Sequence, residues 1–222
     1  MAEISLFEAL RTCRTVRRLR PDPVPDELLR KILTAATWAP SGGNRQPWRF
    51  LVVRDAERKR QLRELYLPLW RTFSQAYTAH LSGLPAEARA RQERMVGSAD
   101  HLAEHFHEAP VIVVVCVHIP ELAITDAGLD RPSVVGGASI YPAVQNLILA
   151  CRALGLGAAL TTLLCQKEPE VRALLDIPVG WATCAHLALG FPEGAGHGPV
   201  RRKPVERVAF LDRWEQPLFP VS

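Results

Sequence analysis

Several features that would mark a function class are missing from this sequence. It has no apolar run long enough to span a bilayer, so no transmembrane helix is expected. Met1, Ala2, Glu3, Ile4 and Ser5 show no basic stretch leading into an apolar one, which argues against a secretory signal. The five cysteines (13, 116, 151, 165 and 184) contain no CxxC pair. Their odd number and mostly apolar surroundings suit reduced thiols in a cytoplasmic protein, with no disulfide frame and no zinc site. No GxGxxG follows a strand, so no separate dinucleotide-binding domain is expected. The net charge of +4 is mild and its arginines are dispersed, which gives little support for nucleic-acid binding. No repeat or low-complexity linker divides the chain.

What is present suits one α+β domain spanning residues 1–222, with a helical excursion at about 55–108. Its 48% hydrophobic content is enough for a large core, pictured as a central sheet of four or five strands with helices on both faces. Ser5 and Glu8 have capping-box spacing, and the helix they open carries Leu6, Phe7, Leu10 and Cys13 toward a partner surface. Four arginines then fall between positions 14 and 20. They read either as a solvated turn or as forks for phosphate oxygens. Pro25 opens a second helix with Asp26 and Glu27 in its positive first turn. Leu28, Leu29, Ile32, Leu33 and Ala36 give it an apolar stripe.

Ala39-Pro40-Ser41-Gly42-Gly43-Asn44-Arg45-Gln46-Pro47-Trp48 joins that helix to an expected strand at 49–53. Two prolines restrict the loop, glycines allow close backbone approach, and Ser41, Asn44 and Gln46 add donors and acceptors. It reads as a rigid turn or as a binding surface. The excursion breaks at residues 82–85, and its second half looks the more exposed. Tyr66, Trp70, Phe73 and Tyr77 share one helical face, as core or as the wall of a pocket. His101 and His105 lie one turn apart but lack an HExxH pattern, so no metal site is assigned.

Residues 110–117 form an unbroken apolar run, the mark of a strand covered on both faces. A helix is expected over about 138–153, in which Gln145 and Asn146 bond to backbone or face a ligand. Gly155 stands where a helix-ending glycine belongs. A short strand follows within 156–163, then a helix at 168–175 and a strand at 182–190. Val208, Ala209 and Phe210 offer a last edge strand, and the tail with Trp214 and Phe219 is apolar enough to want a surface to cover.

The order of these pieces resembles the nitroreductase family of flavoproteins over nearly the full chain. The resemblance rests on Arg14-Thr15-Val16-Arg17-Arg18, Pro23 to Leu29, the 39–48 loop, Val144-Gln145-Asn146-Leu147, Ala153 to Gly157, and Gly198 to Pro204. The 39–48 loop is its most specific part. It implies a three-layer α/β/α fold with a mostly antiparallel sheet, and a homodimer with FMN at the subunit interface. NADH or NADPH would be the donor, and nitroaromatics, quinones or related small electrophiles the acceptors. Reductive dehalogenation, flavin fragmentation and non-catalytic FMN binding are the alternatives within reach.

By the same resemblance, Arg14, Thr15 and Arg17 approach the FMN phosphate, ribityl chain and N1–C2 carbonyl edge. Pro40, Ser41, Gly42, Asn44 and Gln46 reach the partner subunit's flavin. Thr162 and Leu163 lie near flavin N5, and Arg202 reaches the phosphate with Arg201 as neighbour. Cys13 departs from the pattern, because many relatives have two consecutive basic residues here; one phosphate contact is then either missing or supplied by Arg201. No protein group is assigned as catalytic, since the chemistry belongs to FMN. Tyr66 and Trp70 are the candidates for the acceptor pocket.

Overall fold

The computed structural model describes residues 4–220; the first three residues of the N-terminal stretch discussed above lie outside them. Ser5 caps α1 (Leu6–Thr12), its hydroxyl accepting the Glu8 amide at 3.1 Å. Pro25 precedes α2 (Asp26–Thr37), which buries Leu29, Ile32 and Ala36. Then come β1 (Trp48–Val53), α3 (Ala56–Ala79), α4 (Ala86–Glu104) and β2 (Val111–His118). The chain continues through α5 (Tyr141–Ala153), β3 (Gly157–Thr161), α6 (Glu168–Leu174) and β4 (Trp181–Gly190).

The four strands form one antiparallel sheet in the order β1-β2-β4-β3. Val111 to Val117 of β2 are all buried, as their unbroken apolar run requires of a central strand covered twice. Alternate residues serve different cores. Val111, Val113, Val115 and Val117 pack with α2 and α5. Ile112, Val114 and Cys116 pack with α3, α4 and α6. The result is a helix–sheet–helix sandwich.

Small features set the register. Cys184 is an extra residue in β4, since Val115 faces Ala185 while Cys116 faces Thr183. The Cys184 carbonyl accepts from the Tyr141 hydroxyl at 3.2 Å, and the Thr183 amide donates to Glu168 Oε2 at 2.9 Å. Helix α5 starts at Tyr141, a little later than expected, with Pro142 in its first turn. It ends in a Schellman motif: Leu156 N–H reaches the Cys151 carbonyl and Gly155 N–H the Arg152 carbonyl, with Gly155 at φ 74°.

The expected strand at 208–210 does not form. Val205–Arg207 make a 3-10 turn, and Phe210 meets Pro217 in an isolated bridge. Proline offers no N–H to extend a ladder. Helix α4 is also less exposed than its composition suggests, burying Val96, Ala99, Leu102 and Ala103.

Candidate active site

A cavity of about 370 Å³ opens between the helical excursion and the end of β3. Tyr66, Trp70, Phe73 and Tyr77 of α3 form one wall, with Met95, Ala99 and Leu102 from α4. Leu160, Thr161, Thr162 and Leu163 form the other, and Arg17 completes the lining. The aromatic face therefore has both of its anticipated roles: Tyr66 and Trp70 are buried in the core and also line the cavity. Tyr66 packs on Phe106 at 5.0 Å, and burial pushes its phenol pKa up.

Arg17 reaches the cavity because its segment runs beside β3. The Val16 amide donates to the Ala158 carbonyl at 2.9 Å, and Val16 points into the core. The approach is close enough that a Cβ on Gly157 would sit 2.7 Å from Val16 Cβ. Among the described residues the Arg17 guanidinium has no hydrogen bond and no carboxylate partner. Burial lowers its pKa, partly offset by Tyr66. A half-buried, unanswered cation beside aromatic rings and backbone is suited to an electron-rich ligand edge.

The other anticipated residues fall into two further groups. Arg14 donates from Nε and Nη2 to the Pro199 carbonyl at 3.0 and 2.8 Å. This joins the first arginine cluster to the segment leading into Arg201 and Arg202, both exposed. Thr15 is exposed, and neither it nor Arg14 lines the cavity.

The 39–48 loop does not line the cavity either. Its backbone is held in an unusual shape, with Asn44 and Gln46 at φ 52° and 51°. Ser41 Oγ accepts the Gln46 amide at 3.0 Å, and Ser139 Oγ accepts the Gly42 amide at 3.0 Å. Gln46 Nε2 donates to Asn44 Oδ1 at 3.1 Å. Pro40, Gly42, Asn44 and Gln46 are exposed, and Ser41 is half-buried. Of the polar pair in α5, Asn146 donates to the Ala35 carbonyl at 3.3 Å, while Gln145 is exposed.

A model of the nitroreductase family matches residues 10–191. The chain belongs to the nitroreductase family. A Thermus thermophilus protein named NADH dehydrogenase is 36% identical over 199 residues, 88% of this chain and 90% of the relative. A Rhodospirillum rubrum 5,6-dimethylbenzimidazole synthase is 33% identical over 215 residues, 92% of this chain and 88% of the relative. The solved structure of a nitroreductase with bound FMN from Desulfitobacterium hafniense is similar with a TM-score of 0.65 and 21% identity, covering 93% of this chain and 97% of that one. That last likeness establishes the shared three-layer fold.

Within this nitroreductase-family fold, sequence reasoning did not single out Leu160, Thr161, Met95, Ala99 or Leu102 as cavity residues. The buried face of α4 carried the only available signal, since Val96, Ala99, Leu102 and Ala103 recur at helical spacing. The His101 and His105 rings lie 4.3 Å apart, tilted by 31°, between Arg18 and Glu108, and neither lines the aromatic cavity. Among the described residues no group of three or more His, Cys, Asp or Glu is arranged to hold a metal.

Proposed function

We propose that this chain is an FMN-dependent oxidoreductase that takes a hydride from NADH or NADPH and reduces nitroaromatic, quinone or related electrophilic acceptors. The observation that carries the reading is the unpaired Arg17 in the aromatic cavity, within a chain of the nitroreductase family. The residues fit the cofactor on two counts. The cavity is of ligand size, and the cation that lines it makes no salt bridge among the described residues. Arg14, Arg201 and Arg202 provide exposed guanidinium groups for a phosphate near residues 198–200.

FMN, when bound, supplies the two-electron relay between donor and acceptor. Arg17 would stabilise negative charge on the bound cofactor. Thr162 and Leu163, which line the same cavity from the β3 side, would help to orient it. The Leu163 amide already donates to Thr161 Oγ1 at 3.2 Å, which holds that segment in place. The aromatic wall excludes water from the reacting faces. Donor and acceptor use the same space in turn, so the kinetics are ping-pong and double-reciprocal plots are parallel.

The exposed part of the 39–48 loop, Pro40 and residues 42–46, serves the flavin of a second copy. Leu6, Phe7 and Leu10 of α1, and Trp38 after α2, are large exposed hydrophobics, apolar area that a homodimer would bury. Free thiols throughout and no disulfide among the described residues fit a cytoplasmic setting.

An absorbance spectrum of the purified protein, before and after anaerobic NADH or NADPH, tests the proposal. A flavin band that bleaches supports it. Protein that stays colourless after saturation with FMN overturns it. The 33% identity to a 5,6-dimethylbenzimidazole synthase favours a second reading, oxidative flavin fragmentation. Dimethylbenzimidazole in aerobic incubations of reduced FMN would select that reading.

A further inference from the structure

Two side chains of α4 that do not line the cavity hold the aromatic wall from behind. Trp70 Nε1 donates to Asp100 Oδ1 at 2.7 Å, and Tyr77 Oη donates to Gln92 Oε1 at 2.8 Å. Trp70 and Tyr77 line the cavity, whereas Asp100 and Gln92 do not. The polar tips of both aromatics are thus satisfied by residues outside the lining. Phe73 bridges them, 5.7 Å from Trp70 at 38° and 6.2 Å from Tyr77 at 18°. The opposite wall is the β3 end, Leu160 to Leu163. Both hydrogen bonds join α3 to α4, so they fix ring orientation and helix spacing together. An unpartnered indole N–H or phenol would turn toward any polar group it could reach, the cavity included.

We propose that Asp100 and Gln92 are positioning residues that tune acceptor binding: by holding Trp70 and Tyr77 they set the aromatic wall of this cavity, the slot between α3, α4 and the β3 end. The inference rests on the oxidoreductase reading above, because it concerns the acceptor of that same site. An aromatic wall gains from contact with aromatic rings and from the exclusion of water.

The test uses FMN-loaded protein and two acceptors. 1,4-Naphthoquinone is a planar two-ring acceptor that probes the slot, whereas ferricyanide is a highly charged one-electron acceptor that gains nothing from an aromatic wall. Calorimetric titration of the oxidised protein with 1,4-naphthoquinone measures slot occupancy without turnover. Asp100→Leu should weaken that binding about fivefold to tenfold, in line with the loss of one ordinary hydrogen bond. KM for naphthoquinone should rise in step, while the ferricyanide rate stays within about twofold. Asp100→Asn keeps an acceptor oxygen for the indole and should restore most of the affinity. Gln92→Leu, at the independent bond, should shift naphthoquinone in the same direction and serves if Asp100→Leu does not fold.

Unchanged naphthoquinone affinity in the folded leucine variants overturns the proposal. So does an Asp100→Asn protein as weak as Asp100→Leu, because the charge and not the hydrogen bond would then matter. Wild-type protein that NADH and NADPH cannot reduce overturns the oxidoreductase reading instead, and the calorimetric comparison still decides the slot.

Discussion

Arg17 holds its charge beside Tyr66 with no carboxylate in salt-bridge contact among the described residues, Glu108 and Glu193 only sharing an adjoining cavity with it, and burial lowers its pKa. Such a residue costs stability in the empty protein and gains it back from a ligand. Arg17→Met should therefore leave the thermal midpoint of flavin-free protein unchanged or higher, while raising the Kd for FMN about tenfold or more. Thermal melts and flavin fluorescence titration check both signs. His186 sets a different balance. It is fully buried in β4, neither ring nitrogen has a partner among the described residues, and burial pushes its pKa from 6.5 to about 4. The unfolded chain takes up this proton at higher pH than the folded one, so stability contributed above pH 6.5 is lost as pH falls toward 4. The loss amounts to about 3 kcal/mol over that window. Denaturant titrations across it should show the slope, and His186→Leu should flatten it. Further acidification acts on Asp126, whose pKa is lowered to about 2 by bonds from Ser133, the Val134 amide and Arg131. Its contribution is present above the usual 3.8 and disappears between there and 2.

At the scale of elements, the site depends on how closely the 14–20 segment meets β3. Gly157→Ala would drive a Cβ to 2.7 Å from Val16, so the segment must move. The expected cost is about 1–3 kcal/mol, read from the urea midpoint, with weaker FMN retention because Arg17 moves too. The helical excursion is the other determining element. Its first helix supplies the aromatic wall and its second supplies the backing. Trp70→Ala should change the ratio of kcat/KM values between quinone and nitroaromatic acceptors more than it changes FMN content. Loss of FMN with an unchanged ratio would assign Trp70 to the core alone. The loop around residues 42–46 is tied to the 121–139 segment through Ser139 and through Arg45, which donates to the Glu121 carbonyl. The shape of that loop thus belongs to two distant stretches of chain.

For the whole molecule, the proposed homodimer makes flavin retention depend on protein concentration. Phe7→Asp, at an exposed apolar position of α1, should yield a monomer with markedly less FMN, seen by sedimentation and the flavin-to-protein absorbance ratio. Much of the architecture was legible without coordinates. The unbroken apolar run at 110–117 required a central strand covered twice, and the stripe of α2 required one packed face. Gly155 marked a helix end because only a few residues tolerate its backbone conformation. Local periodicity and backbone chemistry are written in neighbouring residues, and so these elements could be read from them. The edge strand at 208–210 was not so determined, because pairing needs a partner with a free N–H, and Pro217 lacks one. Nor could the sequence show that Asp100 lies behind Trp70, or that Arg17 meets the aromatic wall while the 39–48 loop stays away from it. Those relations join residues far apart in the chain. They are decided only when helices and sheet pack, because packing alone determines which distant side chains share a cavity.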